Sequence, residues 1–177
     1  IWVRFGNLKY GTATVIALLH DTLFTIAALG FAHYLVDVPA LRTIFQLQPF
    51  RINLTVVAGI LTIMGYSMID TIVVFDRIRE NRGKYGHLSR QVINDAVNQT
   101  LSRTLLTAGT TTITVAIMYF LGGQGIHGFT FVLLIGILVG TYSSVAIAAP
   151  ILLIGNKGAA QPAPGRQPLR QQLQRTG

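Results

Sequence analysis

The feature that most constrains this chain is an almost uninterrupted apolar run over residues 54–69, which leads directly into an acidic residue, Asp70. The run and the residues after it predict a span over about 54–76, long enough for the ~20 residues that cross a bilayer core. A carboxylate inside such a span costs roughly 2.5–3.5 kcal/mol and usually faces an ion or proton pathway in the bundle interior. Seven positions, about 10 Å of helix, separate Asp70 from Arg77, so Asp70 is expected to be deep but not central. Function is therefore expected around Asp70.

The composition extends this prediction to the whole chain. Of 177 residues, 51% are hydrophobic and only 11% are charged, which is too apolar for an ordinary soluble domain. An all-α, polytopic transmembrane helical bundle with four spans is predicted. A cytoplasmic connecting helix is expected within residues 77–101, with Ser89 as its N-cap, and a disordered cytoplasmic tail over 156–177. The predicted spans cover about 11–35, 54–76, 102–121 and 129–154.

The positive charges indicate the orientation of the spans. The net charge of +8 comes from Lys and Arg residues that lie in the gaps between apolar segments. Under the positive-inside rule, the start of the chain, the basic segment 77–90 and the tail are predicted to be cytoplasmic. Residues 36–53 and 122–128 are then outside. Aromatic residues are too sparse in the basic segment for a base-stacking surface, so nucleic acid is not an expected partner.

Further polar groups lie inside the other predicted spans. His20 and Asp21 interrupt the first span, either as a polar patch packed against a neighbouring helix or as a second member of a proton path. On the third span, Arg103 begins a row of hydroxyls formed by Thr107, Thr110 or Thr111, and Thr114, at helical spacing. Such hydroxyls either line a path or bond to the backbone of their own helix.

The segment Gly65 to Asn81 carries a family resemblance. It reads GYSMIDTIVVFDRIREN and resembles the transmembrane signature of SecF, the bacterial protein-export membrane subunit. Asp70-Thr71 and Phe75-Asp76-Arg77 favour SecF, or the SecF half of a fused SecDF chain, over SecD. The family pattern has Asn where this chain has Ile69. Gly65, Thr71, Asp76 and Arg77 are therefore expected to be structural or motif residues.

The resemblance implies a fold, a function and partners. The fold is that of the wider RND-like transporter superfamily, in the bacterial inner (plasma) membrane. The function is use of the proton motive force to assist translocation of exported polypeptides, with SecD, the SecYEG translocon and SecA as partners in the lipid bilayer. Residues 1–10 resemble the cytoplasmic end of an earlier helix, so an opening helix and a periplasmic domain are expected outside this sequence. The predicted proton-coupling residues are Asp70, Arg103, Thr107, Thr111 and Asp21.

Two other functions remain open from the sequence. A proton-coupled exporter of small molecules or lipids would use an intramembrane acid in the same way. A passive scaffold would explain the G-x-x-x-G pair of Gly136 and Gly140, which permits close helix packing, but would leave Asp70 and Arg103 without a role. Catalysis, a metal and a cofactor are not expected, because G-x-S-x-G and H-E-x-x-H patterns are absent and the chain has no Cys.

Overall fold

The computed structural model describes residues 8–49, 52–85 and 88–154. Four long helices dominate it: α1 (Leu8–Leu35), α3 (Leu54–Tyr85), α4 (Arg90–Leu121) and α5 (Gln124–Ser143), with a short helix α2 (Pro39–Ile44) between α1 and α3. After α5 the chain continues as a π-helical segment (Ser144–Ala148) and a final short helix, α6 (Ala149–Ile151). No strand occurs in the described ranges.

The four long helices confirm the predicted all-α transmembrane bundle. Each is long and apolar enough to cross a membrane, over Leu8–Leu35, Leu54–Gly83, Arg90–Leu121 and Gln124–Ile151. Helices are the expected solution, because they satisfy every backbone hydrogen bond within one segment when no water is available. The predicted terminal segments 1–10 and 156–177 lie outside the described residues, except that residues 8–10 begin α1.

The connection between the second and third spans differs from the expected separate helix over 77–101. Residues 77–85 continue α3, and residues 90–101 form the beginning of α4. The Ser89 hydroxyl accepts a hydrogen bond from the Val92 backbone N–H at 3.3 Å, so Ser89 caps α4 as predicted. The charged residues of 77–85 are mostly good helix formers, and therefore the helix does not end where its apolar span ends.

The last long helix begins earlier than the expected 129. Its first five residues include Gly125 and Gly128, whose low helix propensity favours a loop by roughly 1 kcal/mol each. Tertiary contacts of His127 offset this preference. The His127 ring is buried, its Nε2 donates to the Gln46 carbonyl at 2.8 Å, and it stacks on the Tyr119 ring with a centroid distance of 4.1 Å.

The π-helical segment has a local cause in Pro150. Proline lacks the N–H that would bond to the Ala146 carbonyl one turn earlier, and its ring clashes with that carbonyl in a regular α-helix. The wider turns of Ser144–Ala148 accommodate this change directly before the proline.

The buried apolar residues form two separate cores, and each long helix runs from one to the other. We call them the basic-end core, because exposed Arg79, Arg82 and Arg90 lie beside it, and the far-end core. Helices α1 and α4 run toward the far-end core and α3 and α5 run back, so successive spans are antiparallel. The basic-end core contains Tyr10, Ala13, Ala17, Val74, Phe75, Ile78, Leu88, Val92, Ile93, Ala96, Ala148, Ala149 and Leu152. The far-end core contains Leu29, Ala32, Leu47, Val56, Ile63, Ala108, Val115, Tyr119, Phe131, Val132, Leu133 and Ile137.

Helices α3 and α5 pack closely at the two glycines of the G-x-x-x-G pair. A Cβ placed on Gly136 would lie 2.1 Å from Ile63 Cδ1, and one on Gly140 would lie 3.1 Å from Ser67 Cβ. Packing of this kind is the main source of helix association where the solvent is lipid. Both glycines therefore hold α3 against α5.

We expect Gly136→Ala to destabilise the bundle by about 1–3 kcal/mol, because the added methyl group overlaps Ile63 at a tightly packed contact. Thermal unfolding of the purified full-length protein in detergent measures the change. Gly30→Ala on α1 is the matched control, since a Cβ there meets no described atom within 4 Å. Equal unfolding temperatures for the two variants would contradict the close α3–α5 contact.

Candidate functional site

A layer of buried polar side chains separates the two apolar cores. Every long helix contributes to it at the point where the helix passes from one core to the other. Since buried polar groups inside a membrane are costly and must find partners or serve a function, this layer is the candidate site. We call it the polar layer, and its buried members are Asp21, Thr25, Ser67, Asp70, Thr71, Thr100, Thr104, Ser143 and Ser144.

Asp21 on α1 is the best-bonded carboxylate of the layer. Its side chain is 1% exposed, and Oδ2 accepts hydrogen bonds from Ser67 Oγ on α3 at 2.5 Å and from Ser143 Oγ on α5 at 2.8 Å. The neighbouring His20 ring donates from Nδ1 to Oδ1 at 3.1 Å. Asp21 therefore joins three spans through one carboxylate.

Asp70 on α3 has the opposite environment. The residue is 7% exposed, and its buried Oδ2 has no hydrogen-bond partner among the described residues. The guanidinium of Arg103 on α4 interacts with the Asp70 carboxylate electrostatically, yet no direct salt bridge joins the two within the described chain. The structure thus brings the predicted acid and its predicted Arg within electrostatic reach without pairing them.

The predicted hydroxyl row on α4 bonds to its own helix. Thr107 Oγ1 donates to the Arg103 carbonyl at 3.0 Å, and Thr111 Oγ1 donates to the Thr107 carbonyl at 2.8 Å. Thr110 and Thr114 follow the same pattern. Since each hydroxyl has one proton to donate, these side chains offer mainly acceptor oxygens to any group beside them.

That row also faces outward from the bundle. Arg103, Thr107, Thr110 and Thr114 are exposed, and Thr111 is half-buried. A guanidinium and a row of hydroxyls are unfavourable toward lipid tails, so this face of α4 is suited to contact with protein or water.

A cleft of about 410 Å³ connects Arg103 to the basic end of the bundle. Arg77 on α3 crosses it, donating from Nε to Gln99 Oε1 at 2.6 Å and from Nη1 to Glu80 Oε2 at 2.5 Å. The cleft is lined by Ile72, Val73, Asp76, Arg77, Glu80, Gln99, Thr100 and Arg103. Its charged and polar lining residues make it suited to hold water beside Thr100 and Arg103.

The remaining motif residues occupy varied positions. Thr71 is buried beside Asp70, whereas Asp76 is exposed at the cleft. A Cβ added to Gly65 would meet no atom of another described element within 4 Å, so close packing does not explain a glycine there. Ile69, where the family pattern has Asn, is 62% exposed and points away from the buried Asp70.

Sequence reasoning missed Ser67 and Ser143 as partners of Asp21. Ser67 lies three positions before Asp70, a spacing that places both in one helical turn, and this was the available signal. Ser143 was visible only as a small residue near the G-x-x-x-G pair. Their meeting depends on how α1, α3 and α5 pack, which no local pattern specifies.

Comparison with known proteins gives consistent matches. A family model described as protein export membrane protein SecD/SecF, C-terminal, matches residues 1–157. Protein translocase subunit SecF of Koribacter versatilis is 47% identical over 171 residues, covering 93% of this chain and 38% of the relative. The SecF subunit of Desulfurispirillum indicum is 47% identical over 157 residues, covering 86% of this chain and 45% of the relative. The chain spans less than half the length of these curated relatives.

Solved structures match over the same part of the chain. The crystal structure of SecDF in its Super-membrane-facing form superposes with a TM-score of 0.66 at 35% identity, covering 86% of this chain and 18% of that one. A second SecDF crystal structure, of a translocon-associated membrane protein from Thermus, gives a TM-score of 0.66 at 32% identity, covering 86% and 19% of the two chains.

We expect Asp70→Leu to raise the unfolding temperature of the purified protein and Asp21→Leu to lower it. The first substitution removes a buried acceptor, Asp70 Oδ2, that no described residue bonds to. The second leaves the buried Ser67 hydroxyl without its acceptor, at about 1–3 kcal/mol, and leaves Ser143 only a longer hydrogen bond to the Gly140 carbonyl at 3.3 Å. Thermal unfolding in detergent measures both changes. A higher unfolding temperature for Asp21→Leu than for Asp70→Leu would contradict the difference in hydrogen bonding between the two carboxylates.

Proposed function

The chain belongs to the SecD/SecF family of protein export membrane proteins, and we propose that it uses the proton motive force to assist translocation of exported polypeptides. It acts as SecF, or as the SecF half of a SecDF chain, and is a multi-pass protein of the inner membrane. The observation that carries the proposal is the buried Oδ2 of Asp70, which has no hydrogen-bond partner in the described part of the chain and lies within electrostatic reach of Arg103. A carboxyl group so placed is suited to reversible protonation.

Protonation changes which neighbours suit Asp70. The charged carboxylate is favoured beside Arg103 or water, while the neutral acid tolerates apolar neighbours, because burial disfavours charge and an opposite charge favours it. A proton that binds and leaves therefore alters the preferred position of α3 relative to α4. Alternation between two such positions couples proton passage to helix movement.

The cleft at the basic end supplies one half of the proton route. It reaches Arg103 and is lined by polar groups, including Thr100 of the polar layer, so water in it exchanges protons with the region of Asp70. The outward-facing Thr107 and Thr111 continue the polar surface along α4 toward the far end. Their acceptor oxygens are suited to hold water along that surface.

The partners follow from the family and from the exposed polar face. SecD is the proposed cover for the α4 face that carries Arg103 and Thr107, because a polar face is unfavourable against lipid. The SecYEG translocon with SecA and the exported polypeptide are the proposed wider partners. The alternative function is that of a passive scaffold, and the following substitutions distinguish it from proton coupling.

We expect Asp70→Asn to insert and assemble normally yet abolish the stimulation of translocation by a proton gradient, because the amide keeps the size of the side chain but does not titrate. Arg103→Lys keeps the charge but loses the planar fork, and should reduce the stimulation. Translocation of an exported polypeptide into vesicles that contain the full-length variant with SecD and SecYEG is the measurement.

Asp37→Asn is the matched control for these vesicles. Asp37 is an exposed carboxylate after α1, beyond the far-end core residues Leu29 and Ala32, and its substitution should leave stimulation unchanged. Full stimulation of translocation by the proton gradient in the Asp70→Asn variant would exclude this carboxylate as the coupling site and would favour the passive scaffold.

Topology provides a separate test. Gly83 and Gly125 are both exposed with open space around them in the described structure, and they lie at opposite ends of the bundle. Under the positive-inside rule, a membrane-impermeant thiol reagent added outside intact cells should label Gly125→Cys and not Gly83→Cys. Labelling of both from the same side would contradict the proposed orientation.

A further inference from the structure

The carboxylate of Asp21 is more fully hydrogen-bonded than that of Asp70, whose buried Oδ2 has no partner among the described residues. Two hydroxyl donors occupy the two lone-pair positions of Asp21 Oδ2, and the His20 ring occupies one position of Oδ1. A proton bound at Oδ2 would have to displace Ser67 or Ser143. Asp21 Oδ2 is thus placed to hold its two serine donors, one from α3 and one from α5.

The donors come from the two helices whose relative position matters for Asp70. Ser67 lies on α3 less than one turn before Asp70, about 4.5 Å along the helix axis and about 60° around it. The side chain of Ser67 points to α1 and α5, while Asp70 lies within reach of Arg103 on α4. Fixing Ser67 therefore fixes the rotation of α3 that presents Asp70 to α4.

Contact with α5 completes this junction. Ser67 packs directly against Gly140, and Ser143 on the next turn of α5 bonds to the same Asp21 oxygen as Ser67. Ser143 is also the last residue before the π-helical segment, where the backbone of the helix changes its geometry. One acceptor thus ties α1 and α3 to α5 at the position where α5 departs from regular helix.

We infer that Asp21, with Ser67 and Ser143, is a positioning group that holds α3 in the rotation required for Asp70 to reach Arg103. The inference rests on the proposed proton coupling at Asp70 and assigns different roles to the two acids. Asp70 exchanges the proton, and Asp21 keeps the exchanging group in place. The junction works through hydrogen-bond acceptance, which does not require Asp21 to titrate.

This difference in roles predicts opposite results for the same substitution at the two acids. Asp21→Asn keeps an acceptor oxygen for the serine hydroxyls and should retain most of the gradient-stimulated translocation, whereas Asp70→Asn should retain none. Asp21→Ala, and the double substitution Ser67→Ala with Ser143→Ala, remove the junction and should lose most of the stimulation. All variants are made in the full-length protein and measured in the vesicles described above.

Thr130→Val is the matched control for the serine substitutions. Thr130 on α5 is as fully buried as Ser143 but lies outside the polar layer, and its hydroxyl donates to the Ile126 carbonyl of its own helix at 3.1 Å rather than to Asp21. Its substitution should leave stimulation unchanged. Loss of stimulation in Asp21→Asn would show that Asp21 itself must titrate, and full stimulation in both Asp21→Ala and the double serine variant would show that the junction positions nothing. Either result overturns the inference.

A second measurement reads the position of α3 without using translocation. The chain contains no Cys, so Asp70→Cys in a background without other cysteines gives a unique thiol at the buried position. Its reaction with a membrane-permeant maleimide should be several-fold faster when Asp21→Ala is added and nearly unchanged when Asp21→Asn is added. An unchanged rate in Asp21→Ala overturns the positioning role, whatever the result of Asp70→Asn in vesicles. The two proposals, proton coupling at Asp70 and positioning by Asp21, can therefore be contradicted independently of each other.

Discussion

The burial of two carboxylates between apolar cores governs the arrangement of this bundle. In lipid the helices gain little from burying apolar surface against one another, so close packing and polar contacts determine which faces meet. Asp21 supplies such a contact by accepting hydroxyls from α3 and α5, and Gly136 and Gly140 allow the backbones to come close enough for it. The polar layer is thus part of what holds the helices together as well as the candidate site.

The two acids show how one chemical group supports stability in one place and function in another. A carboxylate with three donors contributes to a unique packing, because shifting any of the three helices leaves a buried polar group without a partner. The buried Oδ2 of Asp70 finds no partner within residues 8–49, 52–85 and 88–154, and its burial therefore carries an unrelieved cost that the bundle tolerates. Such a cost persists in proteins mainly where function uses it.

The sequence was informative where its signals are local. Apolar runs of sufficient length predicted the four spans, and an acid within such a run predicted the burial of Asp70. Helix ends were less predictable, because the start of α5 depends on contacts of His127 with residues far away in sequence. The bonds of Asp21 to Ser67 and Ser143 join residues 46 and 122 positions apart, so they follow from the packing of whole helices rather than from any motif.

The hydrogen bonds that hold residues 45–46 have a mechanical consequence. These residues belong to the connection between α1 and α3, yet their carbonyls accept hydrogen bonds from Tyr119 near the end of α4 and from His127 in the first turn of α5. The connection is therefore attached to two helices that it does not join. A force on this connection therefore acts on the turn between α4 and α5 as well as on α1 and α3. All four spans resist such a force at that end of the bundle.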